Sequence, residues 1–343
     1  MKERVIVAMS GGVDSSLSAY LMKEKGYEVI GITLKLFEGQ EKYLTDAEKM
    51  AQEIGIKWYM ADYSEDFKRD IINYFISTYR KGKTPNPCAF CNRFGKFNFL
   101  HNEMLKYDAT KIVTGHYARK VYTDGKYYIA KGLDRKKDQS YYLTLLENYQ
   151  IEKIEFPLGE IDKITTRNLA QKYGLSVHNK KDSQEVCFLE GGDYRDYLKS
   201  KINQNNFKKG NFIFEGRILG RHEGIELYTV GQRKGLGLSY HEPLYVKKLD
   251  PKTNDIELCR KDGGNVKGVK LKDTVFQTDK KIFKAKAKLR YRMKEADCLV
   301  EIHPENRAFL LFDEPQSFPA PGQIAGIYEG DILLGGGFIE DFF

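Results

Sequence analysis

The feature that most constrains the fold is a glycine-rich turn at residues 10–16, SGGVDSS. Before it, residues 4–9 form a short apolar run rich in β-branched side chains, which predicts a buried parallel strand. After it, residues 15–25 have helical spacing, and Gly26 gives a stop signal. A strand, a tight turn and a helix in this order begin a βαβ unit. We therefore expect the chain to open with an α/β domain.

The alternation of strands and helices continues to about residue 114. The pattern predicts strands at Glu28–Leu36, Lys57–Ala61 and Lys111–Thr114, and helices at Thr45–Ile54 and Ser64–Arg80. Strands that alternate with helices are typical of a doubly wound parallel sheet, so the predicted fold class is α/β.

Beyond about residue 205 the pattern changes to short strands separated by Gly, Asp and Pro. The predicted strands are Asn211–Glu215, Ile225–Thr229, Leu244–Leu249, Ile256–Leu258, Ala285–Arg292, Cys298–Ile302, Ala308–Phe312, Gln323–Tyr328 and Ile332–Phe338. This pattern of short strands and turns predicts two small β units. The expected domains are therefore 1–204, 205–267 and 268–343.

Composition narrows the class of protein further. The chain has 343 residues, of which 41% are hydrophobic, and no run approaches the roughly 18 apolar residues of a membrane span. We therefore expect a cytoplasmic protein that does not contact membranes. Its five cysteines cannot all form disulfides, which favours thiols used in catalysis or metal binding. Residues 260–297 carry 13 Lys or Arg and 5 Asp or Glu, which indicates either a nucleic-acid surface or a solvated charged face.

The glycine turn has the chemistry of a phosphate site. Glycines let the backbone approach a ligand closely, and the helix that follows offers unpaired N–H groups. Asp14 could cap that helix or hold a magnesium ion. The turn lacks the Gly-Lys-Ser/Thr ending of the Walker loop. A connection without a ligand is the alternative interpretation.

Two further segments place cysteines among polar residues. In TPNPCAFCNR, residues 84–93, the prolines stiffen the backbone, and the nearby cations Arg93 and Lys96 would favour thiolates at Cys88 and Cys91. Half of a zinc site is the alternative, although the chain has no second Cys-x-x-Cys pair. Cys187 lies in a predicted loop, DSQEVCF, where it is either a reactive thiol or part of the core. Cys259 and Cys298 lie in apolar strands and are expected to be buried.

Together these segments resemble the bacterial tRNA-specific 2-thiouridylases, the MnmA family of PP-loop ATP pyrophosphatases. The resemblance runs nearly end to end, through AMSGGVDSS at 8–16, TPNPCxxCN at 84–92, TGHYAR at 114–119, KKDQSYYL at 136–143, DSQEVCF at 182–188, YTVGQRKGLGL at 228–238, LRYR at 289–292 and PGQ with GGGFIE at 321–340. It implies a HUP-like PP-loop domain, a small central β domain and a C-terminal β-barrel. It also implies ATP- and Mg²⁺-dependent 2-thiolation of the wobble uridine, U34, in tRNAs for Lys, Glu and Gln, with release of AMP and pyrophosphate.

The resemblance also assigns roles to residues. Cys91 would be the nucleophile, Cys187 the persulfide carrier, and Asp14 a catalytic residue of the ATP site. The residues implied for ATP binding are Ala8, Met9, Ser10, Gly11, Gly12, Val13, Asp14, Ser15, Leu34 and Gly115. Those implied for the target base are Asn86, Pro87 and Cys88. Those implied for tRNA are Lys137, Asp138, Gln139, His116, Arg290, Tyr291 and Gln323.

One departure leaves the sulfur chemistry open. Many family members have Asp where this chain has Cys88, and Cys88, Cys91 and Cys187 could instead ligate a [4Fe–4S] cluster. The favoured route is a Cys187 persulfide attacked by Cys91, which either frees sulfide or closes a transient disulfide. The expected partners are tRNA and a sulfur donor, either a cysteine desulfurase or a relay protein, and the chain is expected to act as a monomer. A PP-loop synthetase for a small metabolite and a non-catalytic RNA-binding protein switched by ATP are the rival hypotheses.

Overall fold

A computed structural model describes residues 2–180 and 186–343 of the chain. It divides into two compact units. Unit 1 comprises Met1–Ile71, Cys88–Gln184 and Tyr328–Gly335, and unit 2 comprises Ile72–Pro87, Glu185–Ile327 and Gly336–Phe343. Within the described residues, no helix has both the length and the apolar character needed to cross a membrane.

Unit 1 is built on the predicted parallel sheet. Its strands are β1 (Arg4–Ala8), β2 (Glu28–Lys35), β3 (Lys57–Asp62), β4 (Lys111–Val113), β5 (Ala118–Thr123), β6 (Lys126–Lys131) and β7 (Ile154–Glu155). The sheet has the order β3-β2-β1-β4-β7, and all its pairings are parallel. Strands β5 and β6 form an antiparallel hairpin that the sequence did not predict, and β6 also pairs with Ile332 and Leu333 of the C-terminal strand.

Helices cover both faces of this sheet. The helices of the chain are α1 (Val13–Glu24), α2 (Glu41–Ile54), α3 (Ser64–Phe67), α4 (Asn73–Arg80), α5 (Pro87–Cys91), α6 (Phe97–Lys106), α7 (Asn148–Lys153), α8 (Lys163–Lys172) and α9 (Tyr194–Lys201). Val5 and Val7 of β1 pack into one hydrophobic cluster, and Ile6 between them packs into another, as strand alternation requires. The predicted doubly wound α/β class is confirmed. The predicted helix Ser64–Arg80 is present as α3 and α4 with a π-helical turn between them.

A four-stranded sheet forms the first β part of unit 2. Its strands are β8 (Gly210–Phe214), β9 (Arg217–His222), β10 (Tyr245–Asp250) and β11 (Asp255–Cys259), in the order β10-β11-β8-β9. The strand predicted at Ile225–Thr229 is wrong, because Ile225–Leu227 is a single 3₁₀ turn. Its three residues are all buried, which the alternating faces of a strand on one core do not allow.

The C-terminal part of the chain is a closed six-stranded barrel. Its strands are β12 (Asn265–Phe276), β13 (Ile282–Lys288), β14 (Ala296–His303), β15 (Arg307–Ser317), β16 (Ile324–Glu329) and β17 (Ile332–Phe342). The order is β12-β15-β14-β13-β16-β17, and a further β12–β17 pairing closes the barrel. The strand predicted at Ala285–Arg292 ends at Lys288 instead, so Arg290 and Tyr291 lie in the turn that follows.

Candidate active site

The glycine turn leads directly from β1 into α1. Gly11 adopts the left-handed conformation with φ of +66°, and a Cβ at this residue would lie 2.6 Å from the Cβ of Asp46. The turn is fixed by Lys180, whose Nζ donates to the Gly11 carbonyl at 2.8 Å and to Asp46 at 2.6 Å. Ser15 Oγ accepts from the Ser10 amide at 3.1 Å. Only glycine fits at residue 11, and the backbone of the turn is held in place from both sides.

This turn fits the phosphates of a nucleotide. In the described part of the chain, the backbone N–H groups of residues 11–15 have no hydrogen-bond acceptor. They belong to the N-terminus of α1, where unpaired amides and the helix dipole favour an anion. Of the other residues expected at this site, Met9 is buried at the end of β1, and Leu34 is half-buried in β2.

Asp14 is held by two side chains from distant segments that no sequence motif indicates. Lys163 Nζ donates to both carboxylate oxygens, at 2.6 and 2.8 Å, and Tyr117 Oη donates to one of them at 2.9 Å. Asp14 does not cap α1, because Gly12 is the N-cap residue and the cap makes no side-chain hydrogen bond. The carboxylate therefore forms a half-buried ion pair at the phosphate turn. Tyr117, which donates to this carboxylate, is itself buried.

Gly115 follows β4 and packs against the start of α1. A Cβ here would lie 2.9 Å from the Asp14 carbonyl carbon and from the Ser15 amide nitrogen. The sequence placed Gly115 in the ATP site by resemblance alone. The structure gives a physical reason for glycine at this position, which is contact with the backbone of the phosphate turn.

We expect Gly115→Ala to weaken ATP binding about tenfold, because the added methyl group must displace the first turn of α1 at a cost of about 1–3 kcal/mol. Calorimetric titration of ATP measures the effect. Gly216→Ala is the control: Gly216 is left-handed, at φ of +76°, so alanine is strained there, but nothing lies within 4 Å of its Cβ position. The control should retain full ATP affinity. Unchanged ATP affinity in Gly115→Ala would contradict the assignment.

The two cysteines of the Cys-x-x-Cys motif lie in a helical segment. Cys88 and Cys91 belong to α5, and a π-helical turn at Asn92–Lys96 joins α5 to α6. Burial raises the pKa of Cys88 to about 11, and it also raises the pKa of the Cys91 thiol. The predicted thiolates are therefore wrong for the protein as it stands. Lys96 is the cation that lowers the pKa of both thiols in opposition to burial.

Arg93, the second cation expected to act on these thiols, is engaged elsewhere. Its Nη2 donates to Glu147 at 2.7 Å, and its guanidinium lies 4.7 Å from the centre of the Phe94 ring. The ion pair neutralises the charge that the sequence analysis assigned to thiolate stabilisation. Among the described residues, no three His, Cys, Asp or Glu side chains form a group suited to a metal ion. The structure therefore gives no support to the zinc site or to the iron–sulfur cluster.

Cys187 is exposed at the start of a 3₁₀ turn, Cys187–Leu189. The next residue, Phe188, is buried and packs edge-on against Phe75 at 5.1 Å. The buried ring of Phe188 anchors the turn, while the thiol of Cys187 stays accessible to a reactant. Most of the motif expected here, residues 182–185, lies outside the described residues. Cys259 and Cys298 are buried in strands, which confirms that prediction.

The proline-rich segment before α5 is held by the loop before β16. Gln323 Nε2 donates to the carbonyls of Thr84 at 3.3 Å and Pro85 at 2.7 Å. The Thr84 amide donates to the Pro321 carbonyl at 2.8 Å. Asn86 and Pro87, expected to contact the target base, are both buried. The structure therefore places Gln323 as a support for the backbone that precedes Asn86.

The residues at 137–139, expected to contact tRNA, mainly build their own loop. Asp138 is buried, and its carboxylate accepts from the Gly132 amide and from the amide and hydroxyl of Ser140, at 2.9–3.1 Å. The side chain and amide of Gln139 bond to the backbone of Tyr117. Lys137 is half-buried. A contact between this loop and RNA stays a prediction.

His116 and Arg290 are also engaged within the protein. His116 Nδ1 lies 2.7 Å from Thr114 Oγ1, and burial lowers the pKa of the imidazole well below its usual value, so the ring is neutral at pH 7. Arg290 Nη2 donates to the carbonyls of Val230 at 2.8 Å and Phe318 at 3.2 Å. Tyr291 is half-buried, with Lys288 Nζ 5.3 Å from its ring centre. The roles of these residues in tRNA binding likewise stay predictions.

Three family models match the chain in succession. They are the tRNA methyl transferase HUP domain at residues 3–191, the tRNA methyl transferase PRC-barrel domain at 195–260, and the aminomethyltransferase beta-barrel domain at 266–339. The matches follow the order of the α/β sheet, the four-stranded sheet and the closed barrel described above. They confirm the fold class expected from the sequence.

Curated relatives match over nearly the whole chain. The tRNA-specific 2-thiouridylase MnmA 2 of Caldanaerobacter subterraneus subsp. tengcongensis is 42% identical over 98% of this chain and 98% of its own length. The tRNA-specific 2-thiouridylase MnmA of Carboxydothermus hydrogenoformans is 41% identical over 99% of this chain and 98% of its own length. A solved structure, the U34-tRNA thiolase NcsA of Methanococcus maripaludis with its [4Fe-4S] cluster, is 20% identical, with a TM-score of 0.37 over 58% of this chain and 67% of that chain. That likeness is too loose to support an argument.

Proposed function

This chain belongs to the tRNA-specific 2-thiouridylase family, and from that premise we propose that it catalyses ATP-dependent 2-thiolation of the wobble uridine of tRNA. The observation that carries the proposal is identity of 41–42% over nearly the full length of two such enzymes. The phosphate turn and the two cysteine segments are the parts of the chain that this chemistry needs. The three family-model matches support the proposed division into a catalytic domain, a central β domain and a C-terminal barrel.

The first half-reaction activates the base. The O2 atom of uridine is a poor leaving group, and transfer of AMP onto it, with loss of pyrophosphate, converts it into a good one. The amides of residues 11–15 would bind the phosphates. Bound magnesium would neutralise charge on the departing pyrophosphate. The ion pair of Asp14 and Lys163 lies at the turn, so it would hold a carboxylate and an ammonium group in set positions beside these phosphates.

The second half-reaction delivers sulfur. A sulfur donor, either a cysteine desulfurase or a relay protein, would load Cys187 as a persulfide. The Cys91 thiolate then attacks the inner sulfur, which releases hydrosulfide and leaves a Cys91–Cys187 disulfide. Hydrosulfide adds to C2 of the activated base, AMP leaves with O2, and a thiol reductant restores the two cysteines. The base must leave the anticodon stack to react, and Asn86, Pro87 and Cys88 would receive it.

The proposal is tested by incubating the protein with ATP, Mg²⁺, a persulfide donor and unmodified tRNA. We expect AMP and pyrophosphate in amounts that depend on tRNA, and 2-thiouridine in the digested RNA by mass spectrometry. ADP as the only nucleotide product would favour an ATP-switched RNA-binding protein. AMP formed without tRNA, but with a small acceptor, would favour a metabolite synthetase.

Cys88→Asp separates the two sulfur routes. We expect the thiolation rate of this variant to stay within about threefold of the wild-type rate. Many members of the family have Asp at this position, and a persulfide route does not use Cys88. A cluster route would lose a thiolate ligand to a harder carboxylate, and iron binding would weaken. The measurement is single-turnover thiolation under anaerobic conditions, with iron quantified in the same samples. Activity that follows iron content in wild type and variant would overturn the persulfide route.

A further inference from the structure

A second basic feature lies in the loop of residues 231–238, GQRKGLGL, which the chemistry above does not use. It connects the 3₁₀ turn after β9 to β10, and Gly235 and Gly237 are left-handed, at φ of +74° and +69°. Gln232 holds the loop, because its Oε1 accepts from the Thr229 amide at 3.1 Å and its Nε2 donates to the Lys234 carbonyl at 3.0 Å. These hydrogen bonds give the loop a defined conformation.

The loop presents donors that have no acceptor. Across the residues that the structure describes, the backbone N–H groups of residues 233–240 have no hydrogen-bond acceptor. Within the same residues, the exposed side chains of Arg233 and Lys234 form neither an ion pair nor a hydrogen bond. A third cation adjoins them, since Arg195 Nη1 lies 3.2 Å from the Cβ position of Gly235. The Nε and Nη2 atoms of Arg195 donate to Asp193, whose carboxylate balances the charge of this arginine, and Nη1 is left as a donor beside the loop.

The carboxylates of Asp193 and Glu242 beside the loop are paired with arginines outside it, and not with Arg233 or Lys234. Arg233, Gly235 and most of residues 236–244 line an open cleft of about 400 Å³. Glu242 is the carboxylate in its lining, and it accepts at 2.8 Å from Nε of Arg260, an arginine that also pairs with Glu215. Successive unpaired amides beside left-handed glycines form a concavity that binds anions, and uncompensated Arg and Lys add long-range attraction.

We propose that this loop, together with Arg195, binds the phosphodiester backbone of the tRNA substrate. The inference rests on the proposed function, and it adds a binding site to the basic stretch 260–297. The open cleft and the exposed cations suit a polyanion that runs across the surface. A small free anion such as phosphate or pyrophosphate is the alternative ligand that the same donors and charges could bind.

The test is equilibrium tRNA binding by the full chain at several salt concentrations, for wild type and for the double variant Arg233→Ala/Lys234→Ala. We expect the double variant to bind about tenfold more weakly at moderate salt, and its log–log salt slope to fall by roughly 1.4–1.8, which is the loss of two phosphate contacts. ATP affinity should be unchanged. The matched control is Lys248→Ala/Lys252→Ala, which removes one exposed lysine from β10 and one from the turn between β10 and β11, and it should change affinity less than twofold.

The outcomes separate the two proposals. Absence of tRNA binding by the wild type would count against the proposed function itself. Wild-type binding with an unchanged affinity in the loop variant, or an equal loss in both double variants, would overturn the loop site alone. Phosphate binding that is lost in the loop variant, while its tRNA affinity equals that of the wild type, would assign the loop to a small anion and overturn the RNA assignment.

Discussion

Replacing Cys91 or Cys187 by serine lowers 2-thiouridine formation by on the order of a thousandfold or more, while ATP affinity stays unchanged. The hydroxyl of serine neither carries a persulfide nor displaces hydrosulfide from one, so either change stops sulfur transfer. The phosphate turn is formed by other residues, so ATP binding does not need either thiol. Single-turnover thiolation and ATP titration on the same samples measure the two quantities.

The control for these variants is Cys259→Ser. Cys259 is buried in β11 and has no part in the proposed chemistry, so this change should lower stability and leave the thiolation rate of the folded protein intact. Thermal unfolding identifies the folded fraction in each sample. Thiolation that persists at the wild-type rate in Cys91→Ser would remove this residue from the mechanism.

The environment of Cys91 also gives a pH dependence. Burial raises the pKa of this thiol, and the thiolate is the attacking form, so the single-turnover rate should rise with pH above neutrality. The Lys96 ammonium lowers the same pKa, so Lys96→Met should move the pH–rate profile to higher pH while the plateau rate is kept. Coincident profiles for wild type and Lys96→Met would show that Lys96 does not influence the thiol.

What the sequence predicted was local. Strand β1, the glycine turn and helix α1 are contiguous, and their pattern identifies a phosphate site without any distant contact. Lys163 and Tyr117 could not be found in this way, because they are 149 and 103 residues from Asp14 along the chain. Only the packing of α8 and of the segment after β4 onto α1 brings them to the carboxylate. The sequence could identify Asp14 as a candidate, but not the charge that accompanies it.

The errors over the cysteines have a similar cause. Arg93 and Lys96 are both close to Cys91 in sequence, and the sequence alone predicted that both favour thiolates. Glu147, 54 residues beyond Arg93, neutralises one of them, and burial outweighs the other. The direction of a pKa shift depends on desolvation and on partners from distant segments, neither of which a local motif reports.

Asp14→Asn lowers the rate of tRNA-dependent AMP formation by at least about a hundredfold, the cost of removing one preorganised electrostatic group from a reaction centre. The asparagine is nearly the same size, so the phosphate turn keeps its shape and ATP still binds. The variant loses the negative charge beside the phosphates. Without that charge, the Lys163 ammonium is no longer held in position. Initial rates of pyrophosphate release with saturating tRNA measure the effect.

Lys163→Met and the double variant show whether Asp14 and Lys163 act as a unit. Each single change leaves one charge of a half-buried pair uncompensated, so each should lower the free energy of unfolding, by about 2 kcal/mol. The double variant Asp14→Asn/Lys163→Met removes both charges and should regain most of that stability without regaining pyrophosphate release. Stability that recovers while activity does not would establish the pair as catalytic machinery. If Lys163→Met released pyrophosphate at the wild-type rate, Asp14 would act without Lys163, and the ion pair would be structural only.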